Sequence, residues 1–267
     1  MKKTEIDSEH LKMLIYGDPG TGKTRFVGTA AMDPRTAPVL YLNMGGNPVS
    51  MRSYEKKPDM IEIESMADFN PIYKWLKAGQ PAGDKLVTDM GLHPPYKTVV
   101  MDQLTAVQRS AFKQVMGSTN SGPGDVLPGT QIQHFGTVLA MMINWANRFY
   151  ELNDLHVIVV TLENGKKNEA TGTINYAPLL WGQSEGEVSG IAYMVARMVN
   201  RAKVNTAMEK KLTVTDDSID KDAVSVMLLK TTGSYAAKDQ YGTGLGFIAD
   251  PTMTKVLDAI ASSGGNQ

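Results

Sequence analysis

Apolar residues fall in short blocks separated by longer polar stretches, and the spacing inside each block predicts its element. Leu11 to Tyr16, apolar without a break from Met13, predicts a short buried strand. Lys23 to Ala31 follows as a helix, stopped by the turn-forming "MDPRTAP". Val39 to Leu42 predicts a second buried strand, closed by "NMGGNP". Met60 to Glu64 alternates apolar and acidic residues, as a strand does, and Phe69, Ile72, Tyr73 and Leu76 lie at helical spacing within Ala67 to Lys77. "AGQPAGDKLVTDMGLHPP" predicts a surface excursion. Thr98 to Asp102 is the next strand and Leu104 to Met116 the next helix. Val138, Met141, Met142, Trp145, Phe149 and Leu152 mark an amphipathic helix, and "HVIVVT" from His156 to Thr161 a central strand. Glu187 to Arg201 carries a helical pattern, "KLTVT" and "AVSVMLLK" predict antiparallel strands, and Thr252 to Ala261 predicts a last helix.

Strands alternating with helices imply an α/β fold: a mostly parallel sheet with helices on both faces and an antiparallel edge. The expected organisation is an N-terminal extension over 1–10, one domain over 11–261 and a loose tail over 262–267. Two loops are long for such a domain, "GSTNSGPGDVLPGTQ" and "LENGKKNEATGTINYAPLLWGQSEG". Loops of this length are usually functional or disordered.

The chemistry starts where the first strand ends. "GDPGTGKT", Gly17 to Thr24, fits G-x-x-x-x-G-K-[ST] without a mismatch, with a strand before it and a helix after it. Gly17, Gly20 and Gly22 let the backbone bend close to a phosphate, with its N–H groups turned inward at the anion. Lys23 brings a mobile positive charge to the outer phosphates, and Thr24 a hydroxyl for Mg²⁺. The nucleotide-binding candidates are Gly17, Asp18, Pro19, Gly20, Thr21, Gly22, Lys23, Thr24 and Arg25, with ATP and Mg²⁺ as cofactors. Asp102 ends "TVVMD" and is the best placed acid to hold Mg²⁺ with Thr24. Thr161, at the end of "HVIVVT", is either a γ-phosphate contact or a β-branched strand residue. Glu163 beyond it is either a water-polarising carboxylate, a cation partner or a solvated loop residue.

Composition narrows the setting. The chain has 267 residues, no cysteine and a formal charge of −1. That excludes a disulfide scaffold and a thiolate metal site, suits a reducing cytoplasm, and leaves no global basic field. No apolar run is long enough to span a membrane, and "MKKTEIDSEH" lacks the apolar stretch of a secretory signal. The four histidines show no metal-ligand spacing. Local basic pairs at Lys166–Lys167 and Lys210–Lys211 are solvated surface or nucleic-acid contacts, with Tyr176 and Trp181 as possible stacking surfaces. Arg197 and Arg201, four apart on the expected helix, read as an exposed face or as arginines reaching a neighbouring subunit's phosphates.

"KMLIYGDPGTGKT", "PVLYLNMGGNP", "YKTVVMDQLTAVQ", "HVIVVTLENGK", "YAPLLWGQ" and "YAAKDQYGTGLG" occur in the order found in phage-encoded nucleotide-binding proteins with a RecA-like core, some of them single-strand annealing proteins. The chain resembles that family from about Leu11 to Ile260. The resemblance implies a RecA-like P-loop ATPase fold, assembly as a homo-oligomeric ring or filament, and action on single-stranded DNA in the host cytoplasm during phage recombination, with a single-strand-binding protein as a further partner. It implies the roles of Lys23, Thr24 and Asp102 given above, and suggests Lys238, in "AAKD", as a cation reaching the γ-phosphate of the next subunit. The pattern departs from the family at one place. Where RecA-like recombinases carry a glutamate after the second strand, this chain reads Asn43 to Gly46, "NMGG". Gln103 follows Asp102, so the adjacent glutamate of AAA+ enzymes is absent too. Asn43 can orient a water but cannot take its proton, and losing a general base costs about 10²–10⁴ in rate. Slow or DNA-dependent hydrolysis is expected, with Glu163 as a substitute base. A nucleotide-gated assembly protein with little hydrolysis is the alternative. A small-molecule phosphotransferase ranks last, because neither long loop holds an arginine cluster.

Overall fold

The structure, a computed structural model, describes residues 10–46, 48–116, 132–167, 169, 172–200 and 225–264. Residues 1–9 of the expected extension over 1–10, the loop 117–131, the "KLTVT" strand, Arg201, Lys210–Lys211 and the last residues of the tail lie outside these.

Strand β1 (Lys12–Gly17) ends at the glycine-rich loop, and helix α1 (Lys23–Gly28) begins there. Strand β2 (Val39–Asn43), β3 (Asp59–Glu62), helix α2 (Phe69–Lys77), β4 (Thr98–Asp102) and helix α4 (Leu104–Val115) fall where the pattern predicts them. The surface excursion between α2 and β4 contains a short helix, α3 (Lys85–Met90), started by the Asp84 carboxylate accepting from the Leu86 N–H. Helix α5 (Ile132–Tyr150) leads to β5 (His156–Lys167).

Two expectations change from here. The second long loop is largely a hairpin: β5 continues past Thr161 to Lys167 and pairs antiparallel with β6 (Ile174–Pro178). The expected helix over 187–201 is a short helix, α6 (Ser184–Ile191), followed by a strand, β7 (Met194–Asn200). "MVARMVN" mimics a helical stripe because this strand is covered on both faces, so the alternation that marks a half-exposed strand is missing. Then come β8 (Ser225–Leu228), the short β9 (Lys238–Asp239), β10 (Phe247–Ala249) and helix α7 (Met253–Gly264).

The sheet order is β10-β8-β7-β1-β5-β4-β2-β3, with β9 on β7 and the β5–β6 hairpin leaving one end. From β7 to β3 neighbouring strands are parallel, and β8, β9 and β10 form the antiparallel edge. Side-chain parity divides the core. Leu14, Tyr16, Leu42, Met101 and Val159 pack with α2, α4 and α5. Met13, Ile15, Tyr41, Val100 and Val160 pack with Phe26 and Val27 of α1 and Val256 of α7. Helices therefore cover both faces, and the residue number at each strand's end decides which face its last side chain serves.

Candidate nucleotide site

Gly17 is the last residue of β1, and a Cβ there would meet the Met198 carbonyl oxygen, so no larger residue fits at this turn. Gly20 and Gly22 hold φ of 79° and 90°, which glycine adopts without strain. Thr21 donates its hydroxyl to the Asp18 carbonyl at 2.8 Å and braces the bend. Lys23 then points back over the loop, its Nζ donating to the carbonyls of Gly17 at 2.6 Å and Asp18 at 2.8 Å. The side chain is almost entirely buried, and that burial lowers its pKa to about 8 against the pull of Asp102, Glu163 and Asp18.

Asp102 shares parity with Val100, so it faces α1. Its Oδ2 lies 3.4 Å from the Thr24 hydroxyl and accepts a short hydrogen bond from the Tyr41 hydroxyl. Burial raises its pKa, opposed by Tyr41, Lys23 and Thr24. A cavity of about 600 Å³ opens over these groups, lined among others by Gly20, Lys23, Thr24, Gly46, Asp102 and Gln103. Pro19 and Arg25 also border it; Arg25 is exposed and stands 3.9 Å from Asp250.

The residues fit a nucleotide with its magnesium ion. Two hard oxygen donors, Thr24 Oγ1 and Asp102 Oδ2, converge beside the loop. Among the described residues no cluster of three or more acidic or histidine side chains could hold a metal alone. Mg²⁺ bound through few protein ligands, with phosphate and water completing the shell, is the usual arrangement. Bound there, the ion would neutralise phosphate charge.

Thr161 and Glu163 lie on the other face of the sheet. Thr161 shares parity with Val159, is fully buried, and its hydroxyl is 2.8 Å from that of Thr105 in α4. Glu163 is not a solvated loop residue: its side chain and that of Arg197 are 5% and 6% exposed. Arg197 Nε and Nη2 donate to the two Glu163 oxygens at 2.7 and 3.1 Å, and the guanidinium lies 3.7 Å from the Tyr176 ring centroid. Arg197 is thus a buried strand residue and not part of an exposed helix face. Lys238 sits opposite Val195, which pairs with Leu14, three residues before Gly17. Its ammonium caps α6 by donating to the carbonyls of Gly190 and Ala192 and takes no part in this chain's own phosphate site. Sequence reasoning missed Glu62. Both its carboxylate oxygens accept from the Asn43 side-chain amide, and only the pairing of β3 with β2 brings the two together.

The family described as an AAA domain, AAA_24, matches residues 9–241. The chain belongs to that family. The match begins just before β1 and ends after β9, so the loop, Thr24 and Asp102 all lie inside the matched AAA domain. The sheet, with β5 between the phosphate-loop strand and the strand of Asp102, is that of a RecA-like P-loop NTPase. No curated protein matches the chain. Among solved structures it is similar to a DnaB-like replicative helicase (TM-score 0.42, 11% identity, 88% of this chain and 53% of that one). It is also similar to the conjugation coupling protein TcpA (0.37, 13%, 88% and 62%) and to the RadB recombinase (0.36, 15%, 82% and 80%). The chain spans about half the length of the helicase, and at these TM-scores the likenesses bear no argument about function.

The lowered Lys23 pKa gives a pH test. Below about pH 8 the apo site presents an ammonium to the triphosphate; above it the amine is neutral, and binding must first take up a proton. ATP affinity is expected to fall as pH rises through that value. Calorimetry in two buffers of different ionisation enthalpy should show proton uptake above it and little below.

Proposed function

We propose that this chain is an ATPase that binds ATP with Mg²⁺ through Gly17–Arg25 and Asp102, assembles with copies of itself, and acts on single-stranded DNA in pairing or annealing during phage recombination. One observation carries the reading. β5 is a single strand whose first half, His156–Thr161, is buried between β1 and β4, and whose second half forms the hairpin with exposed Lys166 and Lys167. Leu162, at the junction, lines the nucleotide cavity. Phosphate-bound state and hairpin are therefore joined by one continuous backbone ladder. The hairpin base is anchored to β7 by Glu163–Arg197, and Lys166 is steadied at 3.0 Å by Glu185. Cations on an arm at the strands' carboxyl ends suit a phosphate backbone, and ligands of open α/β sheets gather at that end. Lys238 enters this proposal only across a subunit interface, and a single-strand-binding protein only as a loading partner.

The test is single-stranded DNA binding with and without ATP and Mg²⁺, over a salt series. Binding that strengthens with ATP is expected. Lys166→Ala with Lys167→Ala should reduce the salt slope of log K by about 1.4, near 0.7 for each phosphate left without its lysine. No binding at low salt in either nucleotide state overturns the reading. The lack of a carboxylate at the end of β2 favours a second reading, a nucleotide-gated assembly protein with little hydrolysis. Turnover stimulated by DNA and abolished by Lys23→Ala eliminates it.

A further inference from the structure

We propose that Glu62, held by Asn43, is the carboxylate that polarises the attacking water in this site, carried one strand beyond the position where a glutamate is missing. The inference rests on the ATPase reading above.

Ile61 and Ile63 pack into the core on the α2–α4 side, so Glu62 between them projects from the α1 face. Asn43 shares parity with Val39 and Tyr41, which pack against α1, and Asp102 lies on that face too. The strand register then brings the three together. Asp102 pairs with Asn43 and Asn43 with Glu62, so they stand side by side at the last residues of β4, β2 and β3. At a strand spacing of about 4.8 Å, Glu62 begins roughly 10 Å from Asp102, and its long side chain is turned back toward β2.

The amide of Asn43 shows why it is there. Asn43 is buried. Its Nδ2 donates to both oxygens of Glu62 at 2.8 Å and to the Gly46 carbonyl at 3.1 Å, while its Oδ1 accepts the Gly46 N–H at 3.1 Å. These contacts use both amide protons, so Asn43 has none left to orient a water. It is a positioning residue. Gly46 completes the link: it lines the nucleotide cavity, and a Cβ on it would stand 2.7 Å from Asn43 Oδ1 and 3.9 Å from Asp102 Cγ. Glu62 is thus joined to the cavity wall through a rigid amide. The other acids near the rim are engaged elsewhere, Asp102 with Thr24 and Tyr41 and Glu163 with Arg197.

In the step assigned to Glu62, the water oxygen bonds to the γ-phosphorus as the bond to the β–γ bridging oxygen breaks. The bridging oxygen leaves on ADP with the electron pair. The water's proton passes to a Glu62 oxygen and then to solvent.

The experiment uses the full chain with single-stranded DNA and measures ATP binding by calorimetry, thermal unfolding, and steady-state turnover against pH. Glu62→Gln should keep ATP affinity and melting temperature while kcat falls by about 10²–10⁴. Glu62→Asp should restore part of that loss. Asn43→Asp sets a second carboxylate against Glu62 and should move the acid limb of the kcat profile to higher pH. A purely structural role would leave that limb in place. Glu62→Gln with kcat within about threefold of the unaltered chain overturns the proposal. An unaltered chain that binds ATP but turns over no faster than Lys23→Ala also overturns it, while nucleotide binding stands. If ATP does not bind at all, the reading of the site falls and this inference with it.

Discussion

Lys23→Met is expected to remove ATP binding and turnover while leaving the unfolding midpoint unchanged or higher. The Lys23 ammonium is the positive charge that closes over the phosphate loop, already poised on the carbonyls of Gly17 and Asp18. A preorganised charge aimed at developing phosphate charge is worth about 10²–10³ in kcat by itself, and its removal also weakens the ground-state complex. The stability side runs the other way. Burial lowers the folded-state pKa of Lys23 from 10.5 to about 8, so the fold disfavours the ammonium at neutral pH. Such a shift corresponds to a cost on the order of 3 kcal/mol, present below pH 8 and relieved as pH rises from there toward 10.5. An apolar side chain of similar length removes that cost, and the loss of two hydrogen bonds offsets part of the gain. Lys23→Arg should not rescue activity, because a planar guanidinium does not fit a channel shaped for an ammonium that is 7% exposed. Calorimetry with ATP and Mg²⁺, phosphate release and thermal unfolding on the same preparations separate the two effects. A Lys23→Met variant that binds ATP as the unaltered chain does would refute the assignment of the site.

Arg197→Ala is expected to destabilise the fold by about 3–5 kcal/mol, because it leaves the Glu163 carboxylate buried without its partner. For a chain of this size that lowers the melting temperature by roughly 10 °C. The loss is larger than for a surface ion pair because the pair is fork-shaped and both side chains are nearly excluded from water. The guanidinium also lies over Tyr176, so Arg197→Lys, a point charge that can neither bind both oxygens nor stack, should recover only part of the stability. Replacing both partners, Glu163→Gln with Arg197→Met, should recover most of it, since no uncompensated charge remains. Thermal unfolding of the unaltered chain, Glu163→Gln, Arg197→Met and the double variant forms the cycle. A single Arg197→Ala variant melting within about 2 °C of the unaltered chain would show the pair to be energetically idle.

Both results bear on what the hairpin does. If Arg197→Met with Glu163→Gln folds well yet loses ATP-dependent DNA binding, the ion pair transmits nucleotide state to the arm. Its position supports that: Glu163 lies two residues past Thr161 on β5 and bonds across to β7, on the face away from α1.

The phosphate loop, most of the strands and helices around it, the parallel character of the sheet and the place of Asp102 at the strand end beside Thr24 were all legible in the order of residues alone. These are local properties. A glycine pattern between a strand and a helix needs no distant partner to be read, and apolar spacing reports burial within one element. The remainder was settled by long-range packing. "MVARMVN" became a strand because both its faces are covered, which no window of one segment reveals. Glu163–Lys167 and Ile174–Pro178 became paired strands because β5 found β6, although the polar composition there reads as loop. For Thr161 and Glu163 the order of residues leaves a phosphate-side role and a plain strand or loop residue both open, and only the sheet shows that they share the parity of Val159. Glu62 was invisible beside the missing glutamate, since Asn43 and Glu62 are nineteen residues apart and meet only through the register of two parallel strands. Side chains that meet across a sheet are set by pairing, and pairing is a property of the whole fold.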